Sequence, residues 1–155
     1  GALLGATAEV IENMKEECAY IIGPGTTTRV IMDELGLKNT LLGVDVVLNK
    51  RLVANDVNES YLVNLVGENE AKIVVTVIGG QGYILGRGNQ QLSPTVLRKV
   101  GKENIIVVAS REKLVSLSGK TLLVDTGDAE LDQMLSGYTR VVTGFNEYYM
   151  YKLGN

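Results

Sequence analysis

The chain has 155 residues, of which 45% are apolar and 21% charged, a balance ordinary for one soluble globular domain that buries roughly 70% of its unfolded surface. Lys plus Arg number 15 against 18 Asp plus Glu, for a net charge of -3, so there is no general basic field to attract nucleic acid or anionic lipid. The sequence contains no His, which excludes imidazole acid-base catalysis, Ser-His and Cys-His nucleophile pairs and the commonest metal ligand.

Cys18 is the single cysteine. It cannot form an internal disulfide or a multi-thiolate zinc site, it fits a reducing cytoplasm, and just before a strand it reads as a small buried residue. No apolar run approaches the roughly 20 residues a bilayer span needs, and no secretory leader is visible. The expected location is the cytoplasm. The chain opens on Gly1-Ala2-Leu3-Leu4-Gly5 without Met and continues into an amphipathic stretch over residues 7–17. Residues 1–18 are therefore expected to be a helical lead-in from a preceding domain, and residues 19–155 one α/β ligand-binding domain.

In chain order, short β-branched runs predict strands at 19–22, 40–47, 71–78, 104–109, 121–124 and 140–143. Apolar residues at helical spacing predict helices over 27–35, 59–66, 94–100, 111–117 and 129–135. This alternation predicts an α/β fold: an open, mostly parallel sheet with helices on both faces in a Rossmann-like layout. Ser93-Pro94 and Asp128 read as helix starts, Gly36 and Gly101 as helix ends, and 148–153 as an edge strand or hairpin arm.

Tyr20-Ile21-Ile22-Gly23-Pro24-Gly25-Thr26-Thr27-Thr28-Arg29 is an apolar strand emptying through a glycine-proline turn into a helix start. Free backbone N–H groups and the positive end of the helix dipole suit an anion there, with phosphate the natural guest. An ordinary capped helix start is the other reading. Neither the third glycine of a dinucleotide fingerprint nor the Gly-Lys-Ser/Thr end of a Walker A loop is present.

Asp45 stands about twenty residues beyond, where a dinucleotide fold places its ribose-binding acid, or else it is a hydrogen-bonded structural Asp. Asn55-Asp56-Val57-Asn58-Glu59 suits ribose hydroxyls, an adenine edge or magnesium, with helix capping by Asn58 or Asp56 as the alternative. The stretch from Gly79 through Gly80, Gln81 and Gly82 to Gly86-Arg87-Gly88-Asn89-Gln90-Gln91 is too long and polar for a plain connection. Arg87 between two glycines can reach a phosphate, and Gln81 and Asn89 supply neutral donors and acceptors. Asp125-Thr126-Gly127-Asp128 opens a capped helix and leaves Asp125, with Asp56, as a carboxylate for a metal.

The blocks Ile22-Gly23-Pro24-Gly25-Thr26-Thr27-Thr28, Thr40 to Val47, Gly79-Gly80-Gln81-Gly82 with Gly86 to Pro94, and Val124-Asp125-Thr126-Gly127-Asp128 occur in this order from about Tyr20 onward. They resemble the C-terminal part of the ATP-NAD kinase-like family, more narrowly its predicted polyphosphate/ATP-NAD kinase branch related to the acetoin-catabolism X proteins. The resemblance implies phosphorylation of the adenosine ribose of NAD, with ATP or polyphosphate as donor and a divalent metal such as Mg. It also implies that the acidic Gly-Gly-Asp-Gly motif lies in a separate N-terminal kinase domain. The nearest match here, Gly79-Gly80-Gln81-Gly82, carries Gln in place of the acid, so no residue of this chain inherits that role and the isolated domain is expected to be inactive.

Typical NAD kinase C-terminal domains are mostly β, whereas this chain reads as alternating α/β. In layout alone it is also similar to ribose-5-phosphate isomerases and related sugar-phosphate enzymes. The readings carried forward are a nucleotide- or phosphate-binding domain of an NAD kinase-like protein, a sugar-phosphate enzyme, and a phosphometabolite-sensing domain. Self-association into a homo-oligomer is a further expectation.

Overall fold

A computed structural model of the chain describes residues 2–154, so the outer ends of the two predicted segments, residues 1 and 155, lie outside the described residues. Four strands form the parallel centre of a seven-stranded sheet: β1 (Ala19–Ile22), β4 (Ala71–Val75), β6 (Ile105–Val108) and β8 (Gly137–Gly144). Antiparallel strands complete both edges, β2 (Asp45–Leu48) and β3 (Arg51–Ala54) beside β1, and β9 (Glu147–Leu153) beside β8. The spatial order is β3-β2-β1-β4-β6-β8-β9.

The central strands are apolar on both sides because helices cover both sides. Ile21, Ile73, Val75, Val107 and Val141 face α3 (Glu59–Glu68), α4 (Pro94–Val100) and α6 (Ala129–Leu135), burying Leu62, Val66, Val96, Leu97, Leu131 and Leu135. The alternate residues Ile22, Val74, Val108 and Val142 face α1 (Ala2–Glu12) and α2 (Thr26–Glu34), burying Ala6, Val10, Ile31 and Met32. Cys18 is buried in this second layer, and burial pushes its thiol pKa up.

Local capping chemistry sets the helix starts. Asn58 accepts from Tyr61 N–H, Ser93 from Val96 N–H with Pro94 following, and Asp128 from Leu131 N–H. Ser110 accepts from Lys113 N–H to open α5 (Arg111–Ser116). The predicted helices 94–100 and 129–135 agree with α4 and α6 to the residue.

The predicted strand over 40–47 is a correction: residues 40–43 are a loop and Asp45 begins β2. Its carboxylate accepts from Thr40 N–H at 3.0 Å, Thr40 Oγ1 at 2.8 Å and Asp56 N–H at 2.9 Å, which holds the chain in a turn where an extended ladder was expected. Strands β3 and β5 (Tyr83–Leu85) were not predicted. β5 lies inside the glycine-rich stretch and pairs in parallel with β7 (Leu123–Val124) as a separate two-stranded sheet. Gly86 permits this approach, since a Cβ there would lie 1.7 Å from the carbonyl oxygen of Asp125.

Candidate ligand crevice at the carboxyl ends of the strands

The chain leaves β1 through Gly23-Pro24-Gly25 into α2 on one face of the sheet, and leaves β4 through residues 76–93 toward α4 on the other. Adjacent parallel strands whose connections diverge to opposite faces leave a crevice above their carboxyl ends. A cavity of about 590 Å³ lies here, within the size range of small-molecule sites.

Its polar wall is built from Pro24, Gly25, Thr26 and Thr27 on one side and Gly79, Gly88, Ser110 and Lys113 on the other. Its apolar wall comes from Leu3, Leu41, Leu42, Val77 and Ile78. Leu42 in this wall is 81% exposed.

Helix α2 differs from α3, α4, α5 and α6 in having no side-chain cap, because its N-cap residue is Gly25. The first-turn N–H groups of Thr26 and Thr27 therefore meet the crevice without an internal acceptor. Gly25 has φ 129, and a Cβ there would sit 2.8 Å from Thr76 Cγ2. Glycine thus serves both the backbone angle and the close approach of the β1 and β4 loops. Thr28 is turned inward, its hydroxyl donating to Gly23 O at 2.6 Å and Gly25 O at 3.2 Å. Gly23 is itself tied to β4 by its N–H to Val74 O at 2.8 Å.

The other predicted site residues occupy varied positions. Arg29 is exposed on α2 and is not part of the crevice lining. Asp45 is buried behind the 40–43 loop, and Gly25 N–H donates to Leu41 O at 3.2 Å, so Asp45 reaches the crevice through the backbone it holds. Asn58 caps α3, and Glu59 accepts from Ser93 Oγ at 2.6 Å. Gly80 and Gln81 are exposed beyond the crevice lining, and Gly82 is buried against β7 with its carbonyl accepting from Leu123 N–H at 2.7 Å.

Arg87 pairs with Asp125 at 2.8 Å and lies over the Tyr83 ring at 4.4 Å, while its neighbour Gly88 forms crevice wall. Asn89 is fully buried and staples the loop, donating Nδ2 to Ile84 O at 3.0 Å and accepting from Gly86 N–H at 2.8 Å. Asp56 lies beside Asp45 and Asp125 beside Arg87. Among the described residues no three His, Cys, Asp or Glu side chains gather as a metal site.

Sequence reading did not single out Thr76, Ser110 or Lys113. Lys113 is the cation of the crevice, with Nζ 2.7 Å from Gly79 O. Its signal was available: Ser110-Arg111-Glu112-Lys113 directly follows the fourth predicted strand, 104–109, at the sheet end where α/β ligands bind.

The fold is a doubly covered α/β domain with a crevice at the switch point of its sheet, where α2 begins without a side-chain cap. The model of the ATP-NAD kinase C-terminal domain family matches residues 15–153. The chain belongs to that family and is the C-terminal domain of an NAD kinase-like protein. No curated protein and no solved structure matches it. No described helix is long and apolar enough to cross a membrane.

Proposed function

We propose that the crevice binds the phosphorylated end of a nucleotide and that the full-length protein is an NAD kinase, converting NAD to NADP in the cytoplasm. The observation that carries this reading is the convergence of the uncapped α2 start, the Gly79 and Gly88 backbone and the Lys113 ammonium on one cavity. Thr26 and Thr27 N–H groups receive phosphate oxygens, and Lys113 exchanges its bond to Gly79 O for one to the anion. Leu41, Leu42 and Ile78 accept an apolar ring. Membership of the kinase family supports a nucleotide over a sugar phosphate.

None of the crevice residues is a carboxylate, so this lining does not fit a divalent cation. The chain contributes binding and orientation, while the acid or base for phosphoryl transfer comes from a preceding kinase domain, with ATP or polyphosphate as donor. Calorimetric titration of this chain and of the full-length protein with NAD and ATP tests the reading, together with an assay for NADP. Binding to both and NADP formation only by the full-length protein is the expected result. Absence of binding to this chain removes the site, and absence of NADP removes the kinase assignment.

A further inference from the structure

The α1 face of the sheet divides into two zones along its strands. Toward the carboxyl ends, Val74, Val108 and Val142 are buried beneath Ala6 and Val10 of α1. Toward the amino ends α1 has ended, and the same face opens as a groove of about 610 Å³. Its residues change character with the cover. Tyr20 and Lys72 pair across β1 and β4, Ile106 lies on β6, and Tyr138 and Arg140 lie at the start of β8.

This mixture is neither a packing face nor a plain solvated one. Another core helix would call for aliphatic residues like those one level above, and exposed polar side chains on a convex surface leave no cavity of this size. Cations beside aromatic rings in a concave site are the chemistry that holds a phosphate and a flat ring together. Lys72 and Arg140 stand two strands and two residues of register apart, about 12 Å by strand spacing and rise, a gap that two long side chains can close onto one anion.

The lining carries four cations, Lys15, Lys72, Lys102 and Arg140, against two acids, Glu9 and Glu103. Lys15 pairs with Glu70 at 2.7 Å, and Lys102 donates to Ser136 O at 2.9 Å. Glu9 is buried in the lining, accepting from the Tyr148 hydroxyl, Asn146 N–H and Asn13 Nδ2, and its carboxylate attracts Arg140. Glu103 is the other acid of the lining. Arg140 lies 4.1 Å over the Tyr148 ring of β9, on the side of β8 away from Lys72, and this ring contact does not neutralise it. Lys72 has no ion pair or side-chain hydrogen bond among the described residues.

We propose that this groove is a second ligand site, for a phosphorylated aromatic metabolite, with the phosphate between Lys72 and Arg140 and the ring against Tyr138 and Ile106. It lies at the opposite end of the strands from the crevice and does not depend on the reading of that crevice. Nuclear magnetic resonance titration of the ¹⁵N-labelled chain tests it, with ATP, inorganic pyrophosphate and sodium sulfate as probes. ATP is expected to shift the amides of residues 72, 105, 106, 138 and 140 saturably, pyrophosphate to shift those near 72 and 140 but not 138, and sulfate to have a much weaker effect.

Lys72→Met is expected to weaken the ATP response at these amides at least tenfold while leaving shifts at residues 25–27 and 113 unchanged, and Lys113→Ala to do the reverse. A dispersed spectrum shows that each variant is folded, and Arg140→Gln, which removes the second cation, provides a second test with the same loss expected if Lys72→Met is not. Shifts confined to the crevice, equal responses to sulfate and ATP, or groove shifts indifferent to both Lys72→Met and Arg140→Gln would overturn the proposal.

Discussion

Lys113 Nζ lies 2.7 Å from the carbonyl oxygen of Gly79, so the first turn of α5 and the loop after β4 meet across one wall of the crevice. A lysine that satisfies a backbone carbonyl at the mouth of an anion site is held ready without being neutralised, since a carbonyl carries only a partial charge. The contact therefore orders the side chain while leaving its full positive charge for a ligand.

Replacing Lys113 by Ala is expected to weaken ATP binding about tenfold or more, since a hydrogen bond to a charged group contributes about 1.5–3 kcal/mol. The side chain is only partly buried, so the melting temperature should change by no more than about 2 °C, the equivalent of a surface substitution. Calorimetry and thermal denaturation of the same preparation measure both. A large loss of stability with unchanged affinity would assign Lys113 a structural role instead.

Gly25→Ala places a Cβ 2.8 Å from Thr76 Cγ2 in a backbone region of φ 129. The combined strain is expected to cost about 1–3 kcal/mol, read as a lower urea midpoint. Adding Thr76→Ser removes the methyl group that clashes and should recover the steric share only, because the backbone angle remains unfavourable. Full recovery in the double variant would show that the angle contributes nothing.

Asp45→Ala leaves the Thr40 and Asp56 donors without their acceptor in a buried position. A loss of about 2–3 kcal/mol is expected, with faster amide hydrogen exchange over residues 40–43 and at Gly25, whose N–H bonds to Leu41 O. Unchanged exchange at Gly25 would uncouple Asp45 from the crevice.

The Tyr148 hydroxyl, followed by Asn146 N–H, holds the Glu9 carboxyl below its ordinary value of 4.5. Glu70 beside Lys15, Asp128 beneath Leu131 N–H and Glu147 beside Arg111 are lowered as well. In each case the unfolded chain binds protons that the folded chain resists, so stability rises with pH through this window. It should be fully present above about pH 4.5, then decline as pH falls through the lowered folded values. Urea midpoints between pH 7 and 3 measure this, and Glu9→Gln should flatten part of the slope.

What was legible beforehand followed from local chemistry. Ser93-Pro94 and Asp128 announced α4 and α6 because a cap acts on N–H groups two or three residues away. Ala19 to Ile22 read as a strand because four successive apolar residues suit a sheet covered on both faces. By contrast, β5 has three residues and exists because β7, almost forty residues later, lies beside it, a pairing with no local signature. Arg87 looked free between two glycines until the fold brought Asp125 and Tyr83 to it.

The sequence alone therefore determined the alternation of elements, the glycine turn before α2 and the exclusion of histidine chemistry, all of which depend on residue type and near-neighbour spacing. The tertiary structure decided which loops share a crevice, that Lys113 is its cation, and that the opposite end of the α1 face is an open cationic groove. Those relations join residues far apart in the chain. They arise from strand order and helix coverage, which long-range packing selects.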